Sequence, residues 1–405
     1  KYMRKHLIIG VAVALSAAVL PSVTASSANA ASAICTAPNL QAAGGMDALV
    51  KAAKAEKQLN IITVPRDWAN YGEAIDAFQK AFGIKINDDN PDGSSAYELQ
   101  TIKTAPASKQ PDVVDIGITH TGAEAQDSLG RSLFTPYKVA NWKDISTDWK
   151  DANGLWYGDY SGSISIAYDS TVSPAPTKIA DLTNPAYKGM VALGGDPTAA
   201  TEAFTSVFAA ALANGGSLTN VQPGIDFFAA LKKSGNFVSV PATGANYASG
   251  AYKIALSWSY NGPGAIASAA GIGKTLKYVT PSDAALIAPP YVQAINAKAP
   301  HCAAARLWEE FLYSQNKGLT SKTITTADTK LSGSALFAKL QGGQNIWALG
   351  AAHPIMEAAM KTKGTLVTPP AGFEIPKGQK TYSPSFDQVV AARDVVNKNW
   401  ATATA

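Results

Sequence analysis

Apolar positions near the start of the chain switch repeatedly between two periods. Met46, Leu49, Val50 and Ala53 recur at i, i+3, i+4 and i+7, which predicts an amphipathic helix over 45–57. Leu59 to Val64 is a short β-rich run stopped at Pro65, and predicts a strand. Ile75, Phe78 and Phe82 mark a second helix, and Ile84 to Ile86 a second strand. The turn-rich segment Asp88–Ser95 then precedes a helix through Tyr97 and Ile102 and a strand at Val113–Ile116. Strands alternating with helices predict βαβ units and a largely parallel sheet.

A Trp- and Gly-rich stretch, Trp142 to Gly162, separates this unit from a second. Ile164–Tyr168 reads as a strand, followed by strand Met190–Leu193 and helices Ala199–Ala213 and Gly224–Lys233. Strands Phe237–Val240 and Ile254–Trp258 complete that unit. Ala304, Leu307, Trp308 and Phe311 stripe a helix expected to return to the first. The predicted fold class is α/β, with a first lobe over 31–162, a second over 163–285, and a return to the first over 286–405. Residues 315–343 are expected to be an exposed, insertion-like loop, because Lys317–Lys330 is rich in Ser, Thr and Lys.

The first residues alter the picture of where the chain works. Lys1, Arg4 and Lys5 precede an apolar run from Leu7 to Leu20 and the small residues Ala28-Asn29-Ala30, the order of a secretory signal peptide over 1–30. The expected location is therefore outside the cytoplasm, in a periplasm or on the outer face of the cell membrane. Loss of that leader lowers the formal charge from +4 to +1, which gives no basic stripe for nucleic acid. Cys35 and Cys302 permit one disulfide in an exported protein. Lipidation of Cys35 is the other reading, and Ile34 before it is large for that modification.

Several motifs resolve into bland readings. Asp88-x-Asn90-x-Asp92-Gly93 opens like a calcium loop, but its twelfth position is Leu99, with Glu98 one residue early. Gly262-Pro263-Gly264 resembles a dinucleotide fingerprint, yet Pro263 removes an N–H where phosphate needs donors. No Gly-x-Ser-x-Gly or His-Glu-x-x-His occurs, so neither a nucleophile nor a metal site is predicted, and no cofactor.

Polar and aromatic residues instead gather just after strands. Asp67, Trp68, Asn70 and Tyr71 follow the first strand, Ser94 and Ser95 open the helix after the second, and Thr119 and His120 follow Val113–Ile116. Tyr160 precedes the second unit, Asp196 and Thr198 follow Met190–Leu193, and Trp258, Tyr260 and Asn261 end another strand. Ligands of open α/β sheets lie at the carboxyl ends of strands, so these residues are the candidate ligand-binding set. Asp196 and Thr198 serve equally as helix caps, and Trp68 as core.

The sequence resembles the type II periplasmic binding proteins, the solute-binding receptors of ABC importers related to polyamine, ferric-iron, thiamine and phosphonate receptors. Lys109-Gln110-Pro111-Asp112-Val113-Val114, Gly154-Leu155-Trp156-Tyr157-Gly158 and Ala167-Tyr168-Asp169 carry the resemblance. So do Asp181-Leu182-Thr183-Asn184-Pro185-Ala186-Tyr187-Lys188-Gly189, Ala299-Pro300-His301, Gly343-Gln344-Asn345 and Ala352-His353-Pro354. It implies two hinged lobes closing over a small ligand, membrane permease subunits as partners, a monomer, and no catalysis. Iron-binding relatives use consecutive tyrosines where this chain has Trp258-Ser259-Tyr260, which disfavours iron. Asp67, Asp196, Trp68, Trp258 and Tyr260 suit an organic cation such as a polyamine. A phosphonate or other small anion at the helix starts near Ser94, Ser95 and Thr198 is the competing reading, and a secreted hydrolase the alternative of another class.

Overall fold

The computed structural model describes residues 33–145, 147–287, 290–314, 321–340, 373 and 375–405. The leader expected over 1–30 and the segments at Gly343 and His353 lie outside them. Helix α1 (Met46–Glu56) buries Leu49, Val50 and Ala53, as the apolar spacing requires. There follow β1 (Gln58–Ile62), α2 (Tyr71–Phe82), β2 (Lys85–Asp89), α3 (Ser95–Thr104), β3 (Val113–Gly117) and the short β4 (Phe134–Thr135) and β5 (Tyr157–Gly158).

The next unit holds β6 (Ile164–Asp169), β7 (Val191–Leu193), α4 (Thr201–Ala213), α5 (Gln222–Ser234) and β8 (Phe237–Pro241). It continues through α6 (Gly244–Ser249), β9 (Ile254–Trp258), α7 (Gly262–Gly271) and β10 (Leu276–Val279). The chain then returns by β11 (Ala285–Leu286) and β12 (Tyr291–Asn296) to α8 (Cys302–Leu312), α9 (Gly333–Lys339), β13 (Thr381–Tyr382) and α10 (Phe386–Ala403).

The sheets are mixed rather than largely parallel, which corrects the sequence reading. In the first lobe β1 pairs parallel with β2, while β12 pairs antiparallel with β3, β4 and β5. In the second lobe the order is β10-β6-β9-β7-β8, with β6 antiparallel to β9 and β7 parallel to both β8 and β9. The reason is the path of the chain. β6 and β12 are the strands that enter each lobe from the other, and both arrive reversed. Their two crossovers run side by side: Asp159 N donates to Tyr291 O at 2.7 Å, Tyr291 N to Tyr160 O at 2.9 Å, and Ser163 bridges Ile287.

Cys35 and Cys302 are joined in a disulfide, with Cα atoms 5.3 Å apart, so the Cys35 thiol is occupied there and not by lipid. Arg306, one turn along α8, donates to the carbonyls of Cys35 and Cys302 at 2.6 and 3.1 Å. These carbonyls satisfy a buried guanidinium and tie the N-terminal segment to the first lobe.

The described part of 315–343 is docked, not loose. Ser332 caps α9, Leu336 and Leu340 are buried, and Ser334 N donates to Asp47 Oδ1 on α1 at 2.6 Å. Ser321 bonds Glu73 of α2 at 2.6 Å through both its amide and its hydroxyl. The polar composition hid this because the anchors are serines meeting acidic side chains, with Ile324, Leu336 and Leu340 buried beneath them.

Candidate functional site

The loop after β1 turns sharply, with Thr63, Ala69 and Asn70 all at positive φ (59°, 43° and 63°). Such backbone is costly for residues with a side chain, β-branched Thr63 above all, and it delivers Trp68 to the boundary between the lobes. Tyr160 and Tyr291 come from the two crossovers, and Trp258 and Tyr260 from the end of β9. The five rings form one cluster. Trp68 meets Tyr291 at 5.5 Å and Tyr260 at 6.3 Å between centroids. Tyr160 meets Tyr260 at 4.9 Å and stacks on Tyr291 at 5.6 Å, and Trp258 stacks on Tyr260 at 5.5 Å.

Beside these rings lies a cavity of about 30 Å³ bounded by both lobes: Thr63, Trp68, Ser95, Glu98, Asp115 and Tyr291 from the first, and Gly194, Thr201 and Glu202 from the second. It shares Trp68, Gly93, Gly194 and Glu202 with a larger chamber of about 450 Å³. That chamber adds Asp67, Asp92, Asn261 and the rings of Tyr247, Tyr252 and Tyr278. Among the described residues, neither space is lined by a lysine, arginine or histidine.

The carboxyls here are under-satisfied. Glu98 Oε2 accepts the Asp115 amide at 3.2 Å, and Asp115 Oδ2 accepts the Tyr160 hydroxyl at 2.8 Å. Their other oxygens, Glu98 Oε1 and Asp115 Oδ1, are buried without a partner. Glu202 Oε1 accepts Trp258 N at 2.9 Å. Burial holds all three carboxyls above their ordinary range, reinforced for Glu98 by Asp115 and for Asp115 by Asp159.

The lobes meet closely around the cavity. A Cβ on Gly117, at the end of β3, would overlap Thr201 at the start of α4, and one on Gly264 would overlap the Asp67 carbonyl. The glycine that imitated a dinucleotide fingerprint is thus a point of contact between lobes. Ser95 Oγ lies 3.3 Å from Thr201 Oγ1, and Ser268 donates to Asp67 at 3.4 Å.

Of the residues expected at the site, Asp67, Trp68, Ser94, Ser95 and Asn261 line these cavities. Tyr160, Trp258 and Tyr260 belong to the ring cluster beside them. Others are brought elsewhere. Tyr71 is buried beneath Tyr160 and donates to Asp159 at 2.7 Å, and Asn70 precedes α2 as its N-cap. His120 is buried against Arg393 of α10 at 2.6 Å, and burial with that guanidinium pushes it down to about 3; Thr119 bonds its ring. Asp196 accepts the Thr198 amide and hydroxyl at 2.8 and 2.7 Å within a local turn away from both cavities, and the N-cap of α4 is Ala200, so neither residue caps that helix. Sequence reasoning missed Glu98, Asp115, Glu202 and Tyr291. An acid inside the apolar run Val113–Gly117 was a legible signal. Tyr291 was not, because its strand carried no predicted pattern.

A two-lobed α/β scaffold with paired crossovers and a polar, ring-walled space between lobes defines a binding protein of the type II periplasmic class. Residues 111–325 match the bacterial extracellular solute-binding proteins, and the chain belongs to that family, whose members bind small ligands and deliver them to an ABC importer. The chain is similar in structure to AfuA from Actinobacillus pleuropneumoniae, a periplasmic binding protein with fructose-6-phosphate bound, at 16% identity and TM-score 0.57, over 86% of this chain and 98% of that one. A periplasmic thiamin binding protein is similar at 15% identity and TM-score 0.55, over 86% and 96%. The sulfate-binding protein SubI from Mycobacterium tuberculosis H37Rv is similar at 16% and 0.50, over 84% and 97%. Identity this low shows the fold and leaves the ligand to the site. No curated protein matches the sequence. Among the described residues, no helix is long and apolar enough to cross a membrane.

Proposed function

We propose that this chain is the receptor of an importer for an organic cation such as a polyamine, held between the two lobes. The supporting observation is charge imbalance: Glu98, Asp115 and Glu202 converge on an aromatic-walled cleft that, among the described residues, no basic side chain lines. Ammonium groups would supply the donors that Glu98 Oε1 and Asp115 Oδ1 lack, in charge-assisted bonds. Trp68 and Tyr291, which line the cavity, would cover the methylene stem and offer π faces to the charge. Lobe closure would join Glu202 of one lobe to Glu98 and Asp115 of the other.

The anion reading is weaker on the same geometry. The starts of α3 and α4 already hold Glu98 and Glu202 in their first turns. Ser94 is used as a cap and Ser95 accepts the Gly117 amide at 3.0 Å. An incoming phosphonate would meet carboxylates.

Thermal unfolding in the presence of putrescine, spermidine, methylphosphonate or fructose 6-phosphate tests the reading. Amines at 100 times their Kd should stabilise the protein by about 2.7 kcal/mol. Stabilisation by a phosphorylated compound with none by amines overturns the cation, and turnover of any of them overturns the receptor role.

A further inference from the structure

Behind the cleft, one face of the first lobe's sheet carries a second buried carboxyl, Asp159. Gln293 of β12 stands across from Asp115 of β3 on one side and Tyr157 of β5 on the other. Strand alternation puts Asp159, two residues beyond Tyr157, on that same face. Gln293 Nε2 donates to Asp159 Oδ2 and to the Tyr71 hydroxyl, each at 2.8 Å, and Tyr71 donates to Asp159 Oδ2 at 2.7 Å. Asp115 Oδ1, Asp159 Oδ1 and Gln293 Oε1 are buried with no partner.

Every donor to the two aspartates is neutral. Among the described residues, the titratable groups facing them are Glu98 from α3, Glu309 from α8, Tyr313 just after α8, Tyr71 from α2, Tyr160 and Tyr291 from the crossovers, and Tyr260 from the second lobe. Glu202 lines the same cavity from across the cleft. None is a cation. Two carboxylates separated by one amide and one phenol in a dry interior repel strongly, and the economical state holds one proton between them.

We propose that Asp159 is a positioning residue that keeps a proton on Asp115, so that the cleft exchanges that proton for its cationic ligand. The proposal rests on the cation reading. One ammonium enters, the O–H bond of the Asp115 carboxyl breaks, the proton leaves to solvent, and the charge of the cleft is unchanged. Burial pushes Asp159 up to about 7, which supports a shared proton near neutrality. Uptake would weaken as pH falls, because the ligand then competes with protons.

Calorimetry of putrescine binding in two buffers of different protonation enthalpy counts the protons. The wild type should release about one proton per amine at pH 7, with Kd rising about tenfold per pH unit lost below neutrality. Asp159→Asn should release fewer, and its Kd should rise less over the same range. Tyr71→Phe removes a donor that favours the ionised pair and should move the profile to higher pH, opposite in sign. Equal proton counts and parallel profiles in wild type and Asp159→Asn overturn the proposal. Carbon-13 titration of the ligand-free carboxyls separates it from the cation reading. A downward move of Asp115 in Asp159→Asn, with no heat from any amine, upholds the proton pair and sinks the cation. No move of Asp115 sinks the pair.

Discussion

Asp112 and Asp115 lie three residues apart, one just before β3 and the other within it, and both are buried. Asp112 accepts the Asn60 and His301 amides at 2.6 Å each and His301 Nδ1 at 2.9 Å. Both its oxygens are used, by donors fixed in the backbone and by an imidazole. Asp115 has one phenol and an unpartnered oxygen beside a cavity. The contrast teaches what marks a site. A buried carboxylate whose lone pairs are filled by its own chain belongs to the fold, and one with acceptor capacity left over at the wall of a cavity is a candidate for the site.

The sharpest way to break this comparison is to remove each group. Asp112→Ala should cost about 3–5 kcal/mol in urea unfolding, because it strips a half-buried imidazole and two amides of their partner, while the folded fraction binds as before. Asp115→Asn should leave stability within about 0.5 kcal/mol or raise it, yet weaken putrescine about 100-fold. If both variants lose stability alike, the distinction between fold carboxylate and site carboxylate fails.

Next in size is Gly117→Val, which sets a branched side chain against Thr201 where the lobes meet. It should cost about 1–3 kcal/mol of ligand binding, and small-angle scattering should show no compaction on adding amine. Compaction and affinity equal to wild type would show that Gly117 does not govern closure.

The pH dependence separates the two aspartates more finely. His301 is held above its ordinary value by its hydrogen bond to Asp112, so that pair stabilises fully below about 6.5 and is lost as pH rises through the folded value. Asp159 is raised by burial to about 7, so between about 4 and 7 the unfolded chain sheds a proton that the native state keeps, and stability falls. His301→Gln should flatten the melting profile above about 6.5, and Asp159→Asn the limb below 7. The smallest effect should come from Ser268→Ala, whose exposed 3.4 Å contact with Asp67 should be worth under about 0.5 kcal/mol of amine binding.

Most elements were legible because their apolar periods were strong. α1 and β9 fall within a residue of, or at, the positions that the spacing predicts for 45–57 and Ile254–Trp258, while α2 ends at Phe82 as predicted and begins four residues before Ile75. Where side chains meet polar anchors the reading failed. α9 looked like loop because its anchors are Ser334 on Asp47 and a single pair of buried leucines, Leu336 and Leu340. Six of the fourteen expected site residues went elsewhere for a similar reason. His120 and Asp196 follow strands as ligand residues do, and only the path of α10 past His120, or the local turn at Asp196, assigns them to the fold.

By itself the sequence determined the two α/β units, their strands and helices, and the rings Trp68, Tyr160, Trp258 and Tyr260, since periodicity and residue type are local. The packing alone brings the acids of the cleft together. Glu98, Asp115 and Glu202 come from α3, β3 and α4, and nothing in their own neighbourhoods says they converge. The same is true of their missing counter-charge, because an unpaired carboxylate can be recognised only when every group around it is known.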